Sequence, residues 1–201
     1  MFERILLVGY GTMASAMLEG WLSSGLTPAR FTVYNPRPKP VPAGIAFTTE
    51  PPEGVFEAVV LGVKPQRLAE VADQVEPLAG EGTVLVSLLA ATSLAALRER
   101  FPRAGGIVRL MPNLAAAIGQ SPSALVGEGL DAAQREAIGG LAARLGSAEW
   151  LADETRFDLI TALTGSGPGF VYRFIDALAG AATALGMDRT QADRLAKQMV
   201  A

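Results

Sequence analysis

The sequence predicts an α/β protein in which helices cover both faces of a mostly parallel β-sheet, followed by a small all-helical domain. Three observations lead to this prediction. Short apolar segments alternate with segments of helical periodicity up to about residue 150, as in a series of strand–helix–strand units. Residues 58–63 are apolar throughout, which is typical of a central strand in a parallel sheet. From residue 153 onward only helical periodicity remains.

The elements follow from apolar spacing and from the residues that start and end helices. After the first strand and a glycine turn, a helix places Met13, Met17 and Trp21 at i, i+4 spacing, and Gly25 ends it. The helix after the central strand begins with Pro65, a residue favoured at a first helical position. The predicted strands are residues 2–8, 31–34, 58–63, 83–89, 106–110 and 123–126, and the predicted helices between and after them are 12–24, 65–77, 94–100 and 131–145.

The all-helical part is predicted to consist of three helices, with Thr190 as a cap of the last. The middle helix is apolar on nearly every side, and only Arg173 and Asp176 bear charge on it. A helix without a polar face needs packing partners all round. We therefore expect a homodimer or higher homo-oligomer; the alternative is a core helix of a monomer. The three helices are residues 154–163, 168–185 and 190–200, and the predicted domains are residues 1–152 and 153–201.

Composition excludes several classes of function. The net charge of −3 and the sequence pI of about 5.1 argue against a nucleic-acid surface. No signal peptide or membrane-spanning stretch is recognised, so we expect a soluble cytoplasmic protein. The chain has no cysteine and no histidine, which excludes thiol chemistry, a histidine-dependent triad and a zinc hydrolase. We expect a small-molecule substrate, a bound cofactor that carries the reactive group, and no metal site.

The turn after the first strand reads Gly9-Tyr10-Gly11 and opens directly into a helix. Backbone N–H groups and the positive end of the helix dipole at such a turn can bind a pyrophosphate. Gly9 would permit the tight turn, Gly11 would let a dinucleotide approach the backbone, and Ala14 would keep the helix close to the sheet. A purely structural strand–helix turn also favours glycine, so the motif alone leaves both interpretations open.

The end of the second predicted strand indicates which dinucleotide this turn would bind. NAD-binding sites place an acidic residue there, but no Asp or Glu occurs between Gly20 and Thr49. Asn35, Arg37 and Lys39 follow the strand instead. An amide and a guanidinium suit a 2′-phosphate, which an acid would repel. The alternative is a solvated, proline-stiffened turn whose basic residues are incidental.

Further candidate segments lie at the ends of other predicted elements. Residues 63–66, 87–91 and 108–113 each end a strand, and in open α/β sheets ligands bind at the carboxyl ends of the strands. Residues 164–168, with the sequence Thr-Gly-Ser-Gly-Pro, lie between two helices. They would expose N–H groups at a helix N-terminus, which suits a carboxylate. Each segment alone is better explained as a loop, a proline-initiated helix or a turn capped by Ser166, and it is the position of the strand ends at one edge of the sheet that favours a site.

Taken in this order, the segments resemble those of the pyrroline-5-carboxylate reductase family over the whole chain. Residues 63–66, 108–113 and 162–168 are the most specific, and residues 170–178 extend the last of them. The resemblance implies a Rossmann-type NADPH domain, a helical dimerisation domain, and hydride transfer to the C=N carbon of a cyclic imine to give L-proline. A protonated imine is already electrophilic, so this chemistry needs no histidine acid.

The resemblance also implies site residues, although it identifies no catalytic one. The expected contacts to NADP, with NADPH preferred over NADH, are Val8, Gly9, Tyr10, Gly11, Thr12 and Met13 at the pyrophosphate, Asn35 and Arg37 at the 2′-phosphate, and Gly62, Val63, Lys64, Pro65, Leu88, Leu89, Ala90 and Asn113 along the adenosine and nicotinamide side. The expected substrate contacts are Asn113, Ser166 and Gly167.

The chain departs from the family's pattern in three places. Ala90-Ala91 stands where members usually have Ala-Gly, and Asn113-Leu114-Ala115 where they have Asn-Thr-Pro. The family continues with more helices and a Ser/Thr- and Gly-rich loop that binds the carboxylate of the imine, a segment we expect this chain to lack. A dinucleotide-binding protein without reductase activity is therefore the alternative function. A methyltransferase with a nucleoside cofactor would leave the strand-end motifs unexplained.

Overall fold

A computed structural model describes residues 2–200 and contains one eight-stranded sheet. The strands are β1 (Ile5–Val8), β2 (Phe31–Tyr34), β3 (Ala46–Thr48), β4 (Ala58–Leu61), β5 (Val84–Ser87), β6 (Gly106–Met111), β7 (Ser123–Glu128) and β8 (Ala148–Trp150). Their order is β3-β2-β1-β4-β5-β6-β7-β8. All neighbouring pairs are parallel except β6 and β7. The predicted mostly parallel sheet is confirmed.

The helices alternate with the strands as expected, but several are shorter or interrupted. The α-helices are α1 (Thr12–Ser23), α2 (Leu68–Val75), α3 (Leu94–Arg100), α4 (Ala132–Ala143), α5 (Phe157–Ile160), α6 (Gly167–Ala184) and α7 (Arg189–Val200). The 3-10 turns are Pro28–Arg30, Pro65–Arg67, Glu76–Leu78, Leu114–Ile118 and Glu154–Arg156. The predicted helix at residues 65–77 thus starts and ends as a 3-10 turn, and each of these turns contains a proline.

The two outer strands, β3 and β8, were not recognised in the sequence. Each has three residues, and none of these is fully buried. Three residues are too few for an alternation of apolar and polar side chains to be recognised. The structure shows that β3 pairs with β2 and β8 pairs with β7, two pairings that the sequence did not predict.

Apolar side chains cover both faces of the sheet, which is why β1, β4 and β5 are buried at every position. Helices α1 and α4 pack on one face, and α2 and α3 on the other. On the first face the Trp21 and Phe31 rings stack with centroids 5.5 Å apart, and Trp21 Nε1 donates to the Leu141 carbonyl at 2.9 Å. At the far edge, the Arg135 guanidinium lies 3.9 Å from the ring centroid of Trp150.

Helix α1 lies unusually close to the 3-10 turn that follows β6. A Cβ atom on Gly20 would lie 2.0 Å from the carbonyl oxygen of Ala116 and 3.0 Å from Leu145 Cδ2. Only glycine therefore fits at position 20. The contact holds the segment after β6 against the helix that follows the glycine turn.

The chain divides into two compact units, residues 1–158 and 159–201; the domain boundary predicted between residues 152 and 153 stays a prediction. In the second unit α6 and α7 pack through a small core of Ala179, Ala192 and Ala196. Arg189 on α7 donates to Asp176 on α6 at 2.7 Å. Over residues 2–200, no helix is long and apolar enough to cross a membrane.

Two local expectations in the second unit are wrong. The cap of α7 is Asp188 rather than Thr190, because the Asp188 carboxylate accepts from the Gln191 N–H at 3.0 Å. The chain also makes no turn at residues 164–167: Thr161–Ser166 form a π-helical segment that runs directly into α6. Ser166 makes no side-chain cap bond there. A Gly-Pro sequence disfavours a continuing helix without forbidding one, and a widened π turn accommodates it here.

Candidate functional site

A cleft of about 470 Å³ opens at the carboxyl ends of β1, β2 and β4. The chain runs from β1 to β2 on one side and returns to β4 on the other, so the cleft lies where the strand order reverses, a usual ligand position in open α/β sheets. Four segments form it: the glycine turn, the basic turn after β2, the end of β4, and the helical segment that follows. Its residues are Val8, Gly9, Tyr10, Gly11, Tyr34, Asn35, Pro36, Arg37, Lys39, Gly62, Val63, Lys64, Arg67, Glu70, Val71 and Gln74.

Gly9 is required by the protein itself. Its φ of 84° lies in the left-handed region that favours glycine. A Cβ atom on Gly9 would lie 2.7 Å from Val63 Cγ1 and 3.0 Å from the carbonyl oxygen of Gly62. The ends of β1 and β4 therefore touch through glycine backbone, which forms the floor of the cleft.

Gly11 differs, because neither conformation nor packing requires glycine there. Its φ of −88° and ψ of −175° are open to any residue, and a Cβ atom would meet only the Gly62 carbonyl oxygen at 3.9 Å. Gly11 is the N-cap of α1 and provides no side-chain cap bond. The first N–H groups of α1 are thus available to an external acceptor. A bare backbone beside a helix N-terminus fits a pyrophosphate.

The basic turn after β2 is fastened to the glycine turn. The side-chain oxygen of Asn35 accepts from the Tyr10 N–H at 3.1 Å, and its NH₂ donates to the Arg37 carbonyl at 2.6 Å. Lys39 Nζ donates to the Tyr10 carbonyl at 2.6 Å. Asn35 and Lys39 therefore have a structural role in this turn. Arg37 is exposed and forms no ion pair with any residue that the structure describes.

The opposite wall contains polar residues that sequence reasoning missed. The Tyr34 hydroxyl donates to Gln74 Oε1 at 2.7 Å, and Arg67 pairs with Glu70 at 2.9 Å. Positions 67, 70 and 74 follow i, i+3, i+7 spacing, so these polar side chains share one face of the helical segment. That polar face was the signal in the sequence, but any solvent-exposed helix shows the same pattern, so it did not indicate a site.

Tyr10 is one of the two tyrosines that line the cleft. Burial raises the pKa of its phenol above the ordinary value, and the negative charge of Glu19 raises it further. The phenol therefore stays neutral at physiological pH. It adds no negative charge beside the place where phosphates would bind.

The structure brings part of the predicted cofactor set into this cleft. Leu89 has its side chain in the core, 2% exposed, so only its backbone is available to a ligand. Asn113 caps the turn after β6, since its side-chain oxygen accepts from the Ala115 N–H at 3.0 Å. Ser166 and Gly167 belong to the second unit. The predicted residues in the cleft are Val8, Gly9, Tyr10, Gly11, Asn35, Arg37, Gly62, Val63 and Lys64, and those not lining it are Thr12, Met13, Pro65, Leu88, Leu89, Ala90 and Asn113.

The loop after β5 is strained at Ala91. Among residues 2–200, Ala91 is the only non-glycine residue with a positive φ, 56°. We expect Ala91→Gly to raise the free energy of unfolding by about 0.5–1 kcal/mol, because glycine adopts this conformation without the steric cost that a Cβ incurs. Urea unfolding measures the change. Ala90→Gly is the matched control and is expected to lower stability; a fall for Ala91→Gly would contradict the strain.

Two family models match the chain. One, described as pyrroline-5-carboxylate reductase dimerisation, matches residues 154–201. The other, described as NADP oxidoreductase, coenzyme F420-dependent, matches residues 4–91. The second range covers the glycine turn, the basic turn and the end of β4, which are the segments that form most of the cleft.

Relatives and solved structures resemble the chain over nearly all of its length. Pyrroline-5-carboxylate reductase of Pseudomonas aeruginosa is 33% identical, over 97% of this chain and 74% of that protein; the Glycine max enzyme is 35% identical, over 96% and 73%. The structure of a pyrroline-5-carboxylate reductase from Coxiella burnetii has a TM-score of 0.86 at 26% identity, over 98% of this chain and 77% of that one. That of the Plasmodium falciparum enzyme with NADP bound has a TM-score of 0.84 at 21% identity, over 98% and 75%. The chain belongs to the pyrroline-5-carboxylate reductase family.

Proposed function

We propose that this protein reduces 1-pyrroline-5-carboxylate to L-proline with NADPH as the hydride donor. The observation that carries the proposal is the cleft, whose lining combines the bare backbone of the glycine turn before α1 with the exposed Arg37 guanidinium, in a chain of this family. When bound, the nicotinamide would supply the hydride that adds to the C=N carbon. The Plasmodium falciparum relative has NADP bound in its structure.

Within this proposal the residues bind and orient, and no catalytic residue is assigned. Gly11 and the first N–H groups of α1 would hold the pyrophosphate, with Gly9 and Gly62 keeping the turn tight. The remaining predicted cofactor contacts stay proposals. Substrate contacts by Asn113, Ser166 and Gly167 also stay proposals. A protonated cyclic imine accepts hydride without further activation, so fixed orientation is the main contribution of the protein.

We expect Arg37→Ala to weaken NADPH binding by about tenfold or more while NADH binding changes little. A guanidinium bonds strongly to a 2′-phosphate, and NADH has none. Arg37 is also the basic side chain of this turn that is not used to fasten it. Calorimetric titration with each cofactor measures the effect.

The control for this change is Arg100→Ala, which removes an exposed arginine of α3 that is not part of the cleft. It is expected to leave both affinities as they are. Equal losses of affinity for NADPH and NADH in Arg37→Ala would show that Arg37 does not bind the 2′-phosphate.

Turnover of the purified protein tests the function directly. We expect loss of NADPH absorbance with 1-pyrroline-5-carboxylate and formation of L-proline, detected by mass spectrometry, and the reverse reaction with proline and NADP⁺. The chain spans about three quarters of the length of the relatives it matches. Tight NADPH binding without turnover would instead favour a dinucleotide-binding protein.

The homodimer is also proposed, through the helices of the second unit. Helix α6 exposes large apolar side chains: Phe170, Tyr172 and Phe174 are 74%, 70% and 55% exposed. An apolar surface of this kind is typical of an interface between chains. The family model that matches residues 154–201 describes dimerisation. The predicted cytoplasmic location remains a prediction.

A further inference from the structure

One carboxylate oxygen joins two segments at the carboxyl ends of neighbouring strands. Glu154 Oε1 accepts from the Leu94 N–H at 2.8 Å and from Arg109 Nη1 at 2.7 Å. Leu94 is the first residue of α3 and directly follows the loop after β5. Arg109 lies on β6, shortly before Asn113. This carboxylate therefore adds a link between the start of α3 and β6, beside the direct pairing of β5 with β6.

The Arg109 end of the ion pair is buried and incompletely hydrogen-bonded within residues 2–200. The Arg109 side chain is 5% exposed, and its Cζ lies 4.0 Å from the ring centroid of Phe157. Its Nε is buried and has no hydrogen-bond partner among residues 2–200. Apolar side chains often replace a fully buried ion pair without loss of stability; here the Glu154 side chain is 30% exposed, and the unpaired buried N–H of Arg109 adds a cost. What apolar side chains would not provide is a directional link between Leu94 and Arg109.

We infer that Glu154 is a positioning residue for the nicotinamide half of the cofactor site, acting through Leu94 and Arg109. The inference rests on the proposed function, in which the loop after β5 and Asn113 line the nicotinamide side. The Glu154 carboxylate accepts from Leu94, the first residue of α3, and from Arg109 on β6. The cleft at β1, β2 and β4, where the adenosine half and pyrophosphate would bind, contains none of the three residues. Loss of the Glu154 carboxylate is therefore expected to weaken binding of the nicotinamide half of the dinucleotide and not of the adenosine half.

Titration with two ligands distinguishes the contributions of the two halves of the dinucleotide to binding. NADPH carries both, and 2′-phosphoadenosine diphosphate ribose is the same molecule without the nicotinamide. For Glu154→Ala we expect the calorimetric Kd of NADPH to rise by about tenfold and that of the fragment to change less than about twofold. Glu154→Gln keeps the shape and one acceptor oxygen, so it is expected to show a smaller rise for NADPH with the same fragment affinity. It also provides a variant that folds if the alanine variant does not.

A matched control removes another carboxylate paired with arginine. Glu76 pairs with Arg103 at 2.5 Å, and neither residue lines the cleft. Glu76→Ala is expected to leave both affinities unchanged. Equal losses of NADPH and fragment in the Glu154 variants would indicate general loosening and overturn the inference, as would unchanged NADPH binding. A wild-type protein that binds neither ligand would instead overturn the proposed function.

Discussion

Replacing Gly11 by alanine is expected to weaken NADPH binding by about 100-fold, equivalent to ~2.7 kcal/mol, while the fold stays intact. The backbone at Gly11 accepts any residue, and the new Cβ would make only an ordinary contact with the Gly62 carbonyl oxygen. The methyl group therefore displaces no protein atom. It fills the space through which a pyrophosphate would approach the backbone and the N-terminus of α1. Calorimetric titration measures the binding.

Urea unfolding provides the comparison that makes this change informative. For Gly11→Ala the free energy of unfolding is expected to fall by less than about 1 kcal/mol, the difference between glycine and alanine at an N-cap. Gly9→Ala is the contrasting variant: its positive φ and the 2.7 Å approach to Val63 should lower stability as well as binding. Full NADPH affinity in Gly11→Ala would show that the cleft does not hold a pyrophosphate.

Replacing Gly20 by alanine is expected to lower the free energy of unfolding by about 3 kcal/mol. The added Cβ would lie 2.0 Å from the Ala116 carbonyl oxygen. This neighbour is backbone, which cannot rotate away as a side chain does. Helix α1 and the turn after β6 must move apart, and buried contacts between them are lost. Chemical unfolding followed by circular dichroism measures the change.

Gly140→Ala is the matched control, because Gly140 is also helical but has no atom within 4 Å of its added Cβ. Alanine there is expected to raise stability by about 0.5–1 kcal/mol, since it restricts the unfolded chain more than glycine does. Opposite signs for these two helical glycines would establish that the close approach at Gly20 decides the result. A stable Gly20→Ala variant would show that α1 and the turn can separate at little cost.

The central sheet and the glycine turn were predictable because their causes are local. A buried parallel strand is apolar at every position, and Gly9 and Gly11 flank Tyr10 in the three-residue turn between β1 and α1. The polar and basic residues after β2 were also visible in the sequence, but which of them fasten the turn and which remain exposed to a ligand was not. Asn35 and Lys39 are held by Tyr10, and only folding shows which cation remains available.

Other features depend on contacts between residues far apart in the chain. The bond from Glu154 to the Leu94 N–H joins positions 60 residues apart, and no spacing rule predicts it. Residues 164–168 are predicted as a turn, because glycine and proline signal a break wherever tertiary packing does not override them, whereas Thr161–Ser166 form a π-helical segment. Strands β3 and β8 have too few residues to show a period.

The packing of Trp21 has a practical consequence for fluorescence. The chain contains two tryptophans, Trp21 and Trp150, and both lie in residues 1–158. Trp21 is stacked on Phe31 and 1% exposed, so its emission changes when the sheet opens. The helices at residues 159–200 contain no tryptophan, so tryptophan emission does not report their unfolding directly. A difference between the fluorescence and circular dichroism transitions would thus measure how far the two units unfold independently.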